Sequence, residues 1–448
     1  MGQHKKINKL MPLASRLSNE NVNFCSRNLA RLALSALWLA TITSSVQAAQ
    51  EKARPADEFV DSIGVNTHLY YDSSVYYQKY SALIKPKLLE LGVRHIRDGC
   101  TRNYNGYMTR LKELKTLGIR ATLVCDPRYL TASSAVSLVK EIGTDVVEAV
   151  QATNEYNLSG DGNWVNTLRN YQKDLWQGIK GSSATAGIKV YGPALSGASA
   201  YNALGDMSGY QDYGTMNNYM SGRNPGNSGW GSDGYGSINW NMRAAKKASV
   251  SKPVLTTETG YHSVVSTSDG HKGIPDDVAG KYTPRIALEQ FNNGIPRTFI
   301  YEFINTYNEP GSLYRNFGLL RNDGSEKPAY SALKNLLNLL EDQGSSFTTG
   351  SLDYVLSGDT ANIHRTLLQK RDGRFYLILW KEVPGYNVDS KKYISVPSQQ
   401  VSVTLNTYIS KATVYIPNDS SNLKSSQTNP KQLNIDVPDR PVVIMLEQ

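Results

Sequence analysis

Cysteine and histidine are scarce in this chain, with three and six respectively in 448 residues. The histidines show no ligand spacing such as His-Glu-x-x-His, which disfavours a zinc hydrolase, and neither a metal nor another cofactor is expected. Cys25 falls in an amino-terminal segment that reads as a removable leader, so Cys100 and Cys125 remain as a pair. An oxidising compartment permits one disulfide between them, whereas a metal site would need further ligands. After residue 43 no stretch is apolar enough to cross a bilayer. No clustered run of Lys and Arg is present, which makes nucleic acid a poor partner. Internal repeats and a low-complexity stalk, expected of a structural surface protein, are lacking too. Hydrophobic residues at 40% and charged residues at 19% are ordinary shares for a chain that buries a sizeable core, which argues against disorder.

The first fifty residues have a different character. Lys5, Lys6, Lys9, Arg16, Arg27 and Arg31 precede the apolar run from Leu32 to Thr43, and Val46-Gln47-Ala48 follows. A basic segment, a short apolar core and an Ala-x-Ala-like site are the parts of a secretory signal peptide over residues 1–48. An uncleaved anchor is disfavoured, because the run is shorter than the ~20 residues a span requires. Cleavage removes six basic residues and Glu20, taking the net charge from +9 to +4. The mature chain is therefore expected to be periplasmic or secreted, without stable membrane insertion, and monomeric. Its mild basicity suits an anionic polysaccharide or simple solubility.

From about Asp57 to Glu341 short β-branched or apolar runs alternate with longer helical patterns, the signature of repeated βα units around a parallel sheet. Eight units can be counted. The strands are expected at 62–69, 93–98, 120–125, 146–154, 189–193, 213–219, 253–258 and 297–303. Helices are expected at 80–91, 107–117, 135–142, 164–179, 239–249, 284–293 and 329–340. Several patterns stop at glycine, as at Gly92, Gly118, Gly143 and Gly294, where a left-handed cap suits a residue without Cβ. Residues 196–237, rich in Gly, Ser, Asn and Tyr, read as long loops around strands five and six that could form one cleft wall. After Gly344 the pattern changes to period-two alternation without helices, as in Arg374–Trp380. The fold class is thus α/β: a (β/α)₈ barrel over 57–341, followed by a small all-β, sandwich-like module over 345–448. Support of the barrel is favoured over independent sugar binding as the module's role.

In such a barrel the active site lies at the carboxyl ends of the strands, so polar residues that end apolar runs carry the chemistry. Strand four ends in Asn154-Glu155, and strand seven ends in Glu258 before Thr259-Gly260-Tyr261. A lone glutamate ending a strand is usually a solvated rim residue. Two of them on strands that face each other across the mouth form the pair that glycoside hydrolysis needs: one carboxyl protonates the leaving oxygen while the other attacks or stabilises the anomeric carbon.

On these residues the chain resembles the clan of retaining (β/α)₈ glycoside hydrolases, and within it the family of β-xylosidases and related exopolysaccharide-cutting endoglycosidases. The resemblance extends over most of 57–340, and a trailing β-module also occurs in such families. It implies Glu155 as acid/base, Glu258 as nucleophile, and Asn154 as a ligand of the sugar 2-hydroxyl. Arg97, in Val93-Arg94-His95-Ile96-Arg97-Asp98, matches the strand-two arginine that hydrogen-bonds the nucleophile. Tyr219 occupies the strand-six aromatic position. Two departures stand out. Asn218 precedes Tyr219 where many relatives carry a His-x-Tyr-like pattern, and Tyr301-Glu302 end strand eight where a tryptophan platform is common. Glu302 reads equally as a substrate ligand or a buried, paired carboxylate. His68, ending strand one, is divided between a sugar subsite and a packed histidine, and Asp98 and Asp126 read as rim residues.

Aromatics, mainly tyrosine, crowd the strand ends and the loops above them: Tyr70, Tyr71, Tyr129, Tyr156, Trp164, Trp230, Tyr261, Tyr307 and Tyr314. Their faces suit the C–H surfaces of sugar rings, and Trp230 and Tyr261 are counted with the site on that ground. The activity expected is double-displacement cleavage of a β-linked polysaccharide or oligosaccharide, endo-acting if the mouth is an open cleft. An exo-acting β-glycosidase, a transglycosylase and a non-catalytic polysaccharide-binding barrel are the competing readings.

Overall fold

The computed structural model describes residues 49–102 and 105–448; the expected signal peptide lies outside the described residues. Eight parallel strands form the central sheet: β1 (Ile63–Asn66), β2 (His95–Gly99), β3 (Arg120–Val124), β4 (Val147–Gln151), β5 (Lys189–Tyr191), β6 (Gly214–Asn217), β7 (Val254–Thr259) and β8 (Thr298–Ile300). Their pairing runs β5-β4-β3-β2-β1-β8-β7-β6. A parallel bridge from Tyr191 to Tyr213, with Gly192 N donating to the Tyr213 carbonyl at 2.8 Å, joins β5 to β6 and closes the ring. This is the (β/α)₈ barrel expected from the alternation.

The helices fall close to their expected positions, with two instructive differences. Ala198–Leu204 forms a short helix inside the segment read as loop, burying Ala200, Tyr201 and Leu204. The helix before β8 begins at Asp276, not at Pro284, which sits inside it. Its amphipathic period is obscured because residues on all its faces are buried: the barrel covers one side and the carboxyl-terminal module the other.

That module is a β-sandwich. One sheet contains Ser351–Gly358, Gln399–Leu405 and Gln432–Val437; the other contains Ile363–Gln369, Phe375–Lys381, Lys411–Tyr415, Leu423–Thr428 and Val442–Glu447. Each sheet also takes a strand from just after the expected cleavage site. Ala49–Lys52 pairs with Ser351–Tyr354, and Arg54–Pro55 pairs with Leu368–Gln369. Phe375–Lys381 explains its own composition. Phe375, Leu377 and Leu379 enter the sandwich core, while Tyr376, Ile378 and Trp380 pack on the barrel. A strand covered on both faces has no solvated side to carry polar residues. Among the described residues no helix is long and apolar enough to cross a membrane.

Candidate active site

Arg97 is the hub of the barrel mouth. It projects from β2, is buried, and distributes its guanidinium over four neighbours. Its Nε donates to Gln151 Oε1 at 2.7 Å, its Nη1 to Asn66 Oδ1 at 2.7 Å and Glu258 Oε1 at 2.9 Å, and its Nη2 to Asn154 Oδ1 at 3.0 Å. One rigid fork thus ties the ends of β1, β4 and β7 together, which a lysine could not do. The other Glu258 oxygen accepts from the Tyr219 hydroxyl at 3.0 Å. Burial, and then the charge on Glu258, push the Tyr219 phenol well above its usual range, so it stays a donor.

Glu155 stands just past β4 in a left-handed conformation, φ +48°. For a residue with a Cβ this costs about 1–2 kcal/mol. The bend is held by its own N–H, which donates to the Ala194 carbonyl at 2.7 Å. Asn217, at the end of β6 and in register with Glu258, donates to Glu155 Oε1 and to Asn154 Oδ1, both at 3.1 Å, and accepts from Thr257 Oγ1. Glu155 and Glu258 therefore sit in one continuous hydrogen-bonded frame. Burial and then the negative charge of Glu258 raise the Glu155 pKa, with only partial relief from Asn217 and Arg97.

A cavity of about 350 Å³ opens over this frame. Of the residues singled out in the sequence, Asn154, Glu155, Glu258, Arg97, Tyr219, His68 and Tyr301 line it, together with Tyr70, Tyr71 and Tyr314 of the aromatics. Glu302 does not. It is fully buried below, where Oε2 accepts from Thr306 at 2.9 Å and lies 3.2 Å from His68 Nε2, so the paired, buried alternative is the one observed. His68 is both packed and lining, stacked on Tyr71 with centroids 4.7 Å apart. Tyr261 and Trp230 lie elsewhere and correct the expectation. Tyr261 turns behind β7 and donates to the Arg223 carbonyl at 2.6 Å. Trp230 packs edge-on against Tyr235, under the Arg223 guanidinium. Its ring fills the space beside Gly236, where φ is +83° and a Cβ would approach within 2.0 Å.

Several lining residues were missed. Asp98, expected at the rim, is buried; it accepts from Thr67, Leu69 N and Gly99 N, and burial nonetheless pushes its pKa up to about 6. Asn66, which lines the cavity, and Asn217, which belongs to the frame beneath it, both end strands, and that is the signal the sequence offers. His271, Leu313 and Phe317 arrive on the loops after β7 and β8, where no period marks them. Cys100 and Cys125, continuing the adjacent β2 and β3, are buried free thiols, and Cys100 hydrogen-bonds Cys125 and raises its pKa.

The fold and the site together define a (β/α)₈ barrel carrying two carboxyl groups on the ends of strands four and seven, with an all-β module behind it. Solved structures share this fold. A family 39 glycoside hydrolase from Bacteroides cellulosilyticus is 17% identical, with 88% of this chain and 81% of that one covered, at a TM-score of 0.56. A glucosidase from Croceicoccus marinus is 10% identical over 90% of this chain and 98% of its own, at 0.60. An endo-β1,6-glucanase is 13% identical over 88% and 92%, at 0.51. No protein-family model matches the chain, and no curated protein sequence matches it.

Proposed function

We propose that this chain is an exported retaining glycoside hydrolase that cleaves a β-linked polysaccharide by double displacement, with Glu258 as nucleophile and Glu155 as acid/base. The observation that carries the reading is the shared frame of Arg97, Asn154 and Asn217, which holds one carboxylate paired with a cation and the other beside it with a raised pKa. Two carboxyl groups in one site with environments pushed apart have complementary roles. In the first step a Glu258 oxygen bonds to the anomeric carbon as the glycosidic C–O bond breaks, and the Glu155 proton passes to the leaving oxygen. In the second, Glu155 takes a proton from water, the water oxygen bonds to the same carbon, and the ester to Glu258 breaks. Two inversions restore the starting configuration. Proton NMR of the first-formed product should show the anomer of the substrate; the opposite anomer would sink the assignment.

The raised pKa has a measurable sign. Activity needs Glu155 protonated in the first step, so kcat/KM should fall on the alkaline side as that proton is lost, at a pH above the ordinary carboxylate range. Removing the Glu258 charge should lower the Glu155 pKa. A carbon-13 titration of the Glu155 carboxyl in Glu258→Gln checks this, and an unchanged or higher midpoint would contradict it.

Endo action is supported by exposed tyrosines on separate arcs of the mouth. Tyr129, after β3, is 80% exposed, and Tyr314, after β8, is 64% exposed and lines the cavity. Aromatic faces beyond the central cavity suit a chain with sugars on both sides of the scissile bond. The endo-β1,6-glucanase among the similar folds is in keeping with this. A series of oligosaccharide products from a polysaccharide is the expected result; monosaccharide alone would mean an exo enzyme, and no product from a broad polysaccharide panel a binding protein. Export rests on the basic segment, the Leu32–Thr43 run and the Val46-Gln47-Ala48 site. Amino-terminal sequencing of the exported protein should begin near Ala49, and a start at Met1 would refute cleavage.

A further inference from the structure

The segment after β6 carries Tyr219 to Glu258 and then passes along the carboxyl-terminal module. Three consecutive residues of it are fixed from outside. Gly222, at φ +76°, lies so close to Val388 of the module that a Cβ would come within 2.7 Å of Val388 Cγ1. The Arg223 carbonyl accepts from Tyr261. Asn224 Nδ2 donates to Glu382 Oε1 at 2.7 Å, and Gly226 N donates to the same oxygen at 2.9 Å. Glu382 belongs to the module and is itself immobilised. Arg285 grips it through Nε at 2.8 Å and Nη2 at 2.5 Å, and Trp380 Nε1 donates at 3.0 Å. Five donors converge on one buried carboxylate and fix both of its oxygens. Their arrangement registers the loop against the barrel.

We infer that Glu382 of the β-sandwich is a positioning residue for the reaction, holding the 218–226 loop through Asn224 and Gly226 so that Tyr219 meets Glu258. This rests on the nucleophile assignment above. The module then contributes to turnover without touching sugar, and its attachment is part of the active site's geometry. A phenol shifted by a fraction of an ångström still admits substrate but no longer orients the attacking oxygen, so the loss belongs in kcat rather than KM.

The test uses the whole protein and leaves the Arg285–Glu382 pair intact. Asn224→Ala should lower kcat on the order of tenfold or more, with KM within about twofold. Tyr219→Phe should lower kcat as well, and the double variant should be little worse than Tyr219→Phe, because both act through one contact. Val388→Ala, a milder change in the module, should lower kcat in the same direction and serves if Asn224→Ala does not fold. Wild-type kcat in both loop-support variants, or losses that multiply fully in the double variant, would overturn the inference. Amide hydrogen exchange separates this from failure of the nucleophile assignment: residues 218–229 should exchange faster in Asn224→Ala while the barrel strands do not change. If Glu258→Gln retains turnover, the assignment fails whatever the loop does; if it is inactive and the loop exchanges as in wild type, the positioning claim fails.

Discussion

Replacing Glu258 with glutamine is expected to lower kcat on the order of 10⁴-fold or more on every substrate, because the amide cannot form the glycosyl ester. Glutamine nearly preserves shape: its carbonyl can still accept from Arg97 and its amide can donate to the Tyr219 oxygen, so the protein should remain folded. Glu155→Gln has a different expected signature. With leaving groups that need a proton the loss should be on the order of 10²–10⁴-fold, the usual range for general acid catalysis, whereas an activated aryl glycoside should still transfer its sugar. The ester then waits for a water that no base deprotonates. Intact-mass measurement should therefore show a glycosyl adduct accumulating in Glu155→Gln, located on Glu258. Equal losses on both kinds of substrate, or an adduct on another residue, would show that the two roles are wrongly assigned.

The second large effect concerns stability. Arg285 and Glu382 are 0% and 1% exposed at their side chains, and their pair lies where barrel and module meet. Burial opposes ionisation of Glu382, but Arg285 and the other donors outweigh it and hold the carboxyl below its ordinary range. Arg285→Met removes the cation and leaves the carboxylate buried among groups arranged to donate to it. The expected cost is about 3–5 kcal/mol, read as a lowered denaturation midpoint. Arg285→Met combined with Glu382→Leu should recover much of that loss, since no unpaired charge remains. The pH dependence has a definite sign. A depressed folded-state pKa contributes stability above the carboxyl's unfolded value, and this is lost as pH falls through the folded one. The wild type should lose this increment in acid while the double variant does not. A double variant weaker than Arg285→Met alone would show that the pair's geometry matters more than its charge.

The barrel was legible because its strands are short runs rich in apolar residues that alternate with helical patterns, and the catalytic candidates are the polar residues that end some of them. Glu155 and Glu258 could be ranked from sequence since strand number places them around the ring, whereas Arg97 followed from the family resemblance. Trp230 and Tyr261 could not be placed by the same logic. An aromatic after a strand end serves sugar stacking and loop packing equally well, and only the turn at Gly236 and the Arg223 carbonyl decide for packing. Glu302 was open for a related reason, because burial depends on how Thr306 and His68 close over it. The early start of the Asp276–Asn292 helix and the two-faced burial of Phe375–Lys381 both reflect a module packing from the far end of the chain. No local pattern reports contacts of that range.

The short strand Ala49–Lys52 has a consequence for how the protein is made. Tyr354 donates its hydroxyl to Glu51 at 2.6 Å across 303 positions of sequence, and the backbones around them pair. A ribosome delivers the first of these partners long before the second. The Ala49–Lys52 strand must wait, unpaired, until the whole barrel has been made. A fragment ending at residue 341 would carry that edge permanently, so the shortest self-sufficient version of this protein keeps both of its ends. Joining those ends and opening the chain at an exposed loop elsewhere would let the sandwich form as one contiguous stretch, ahead of the barrel or after it.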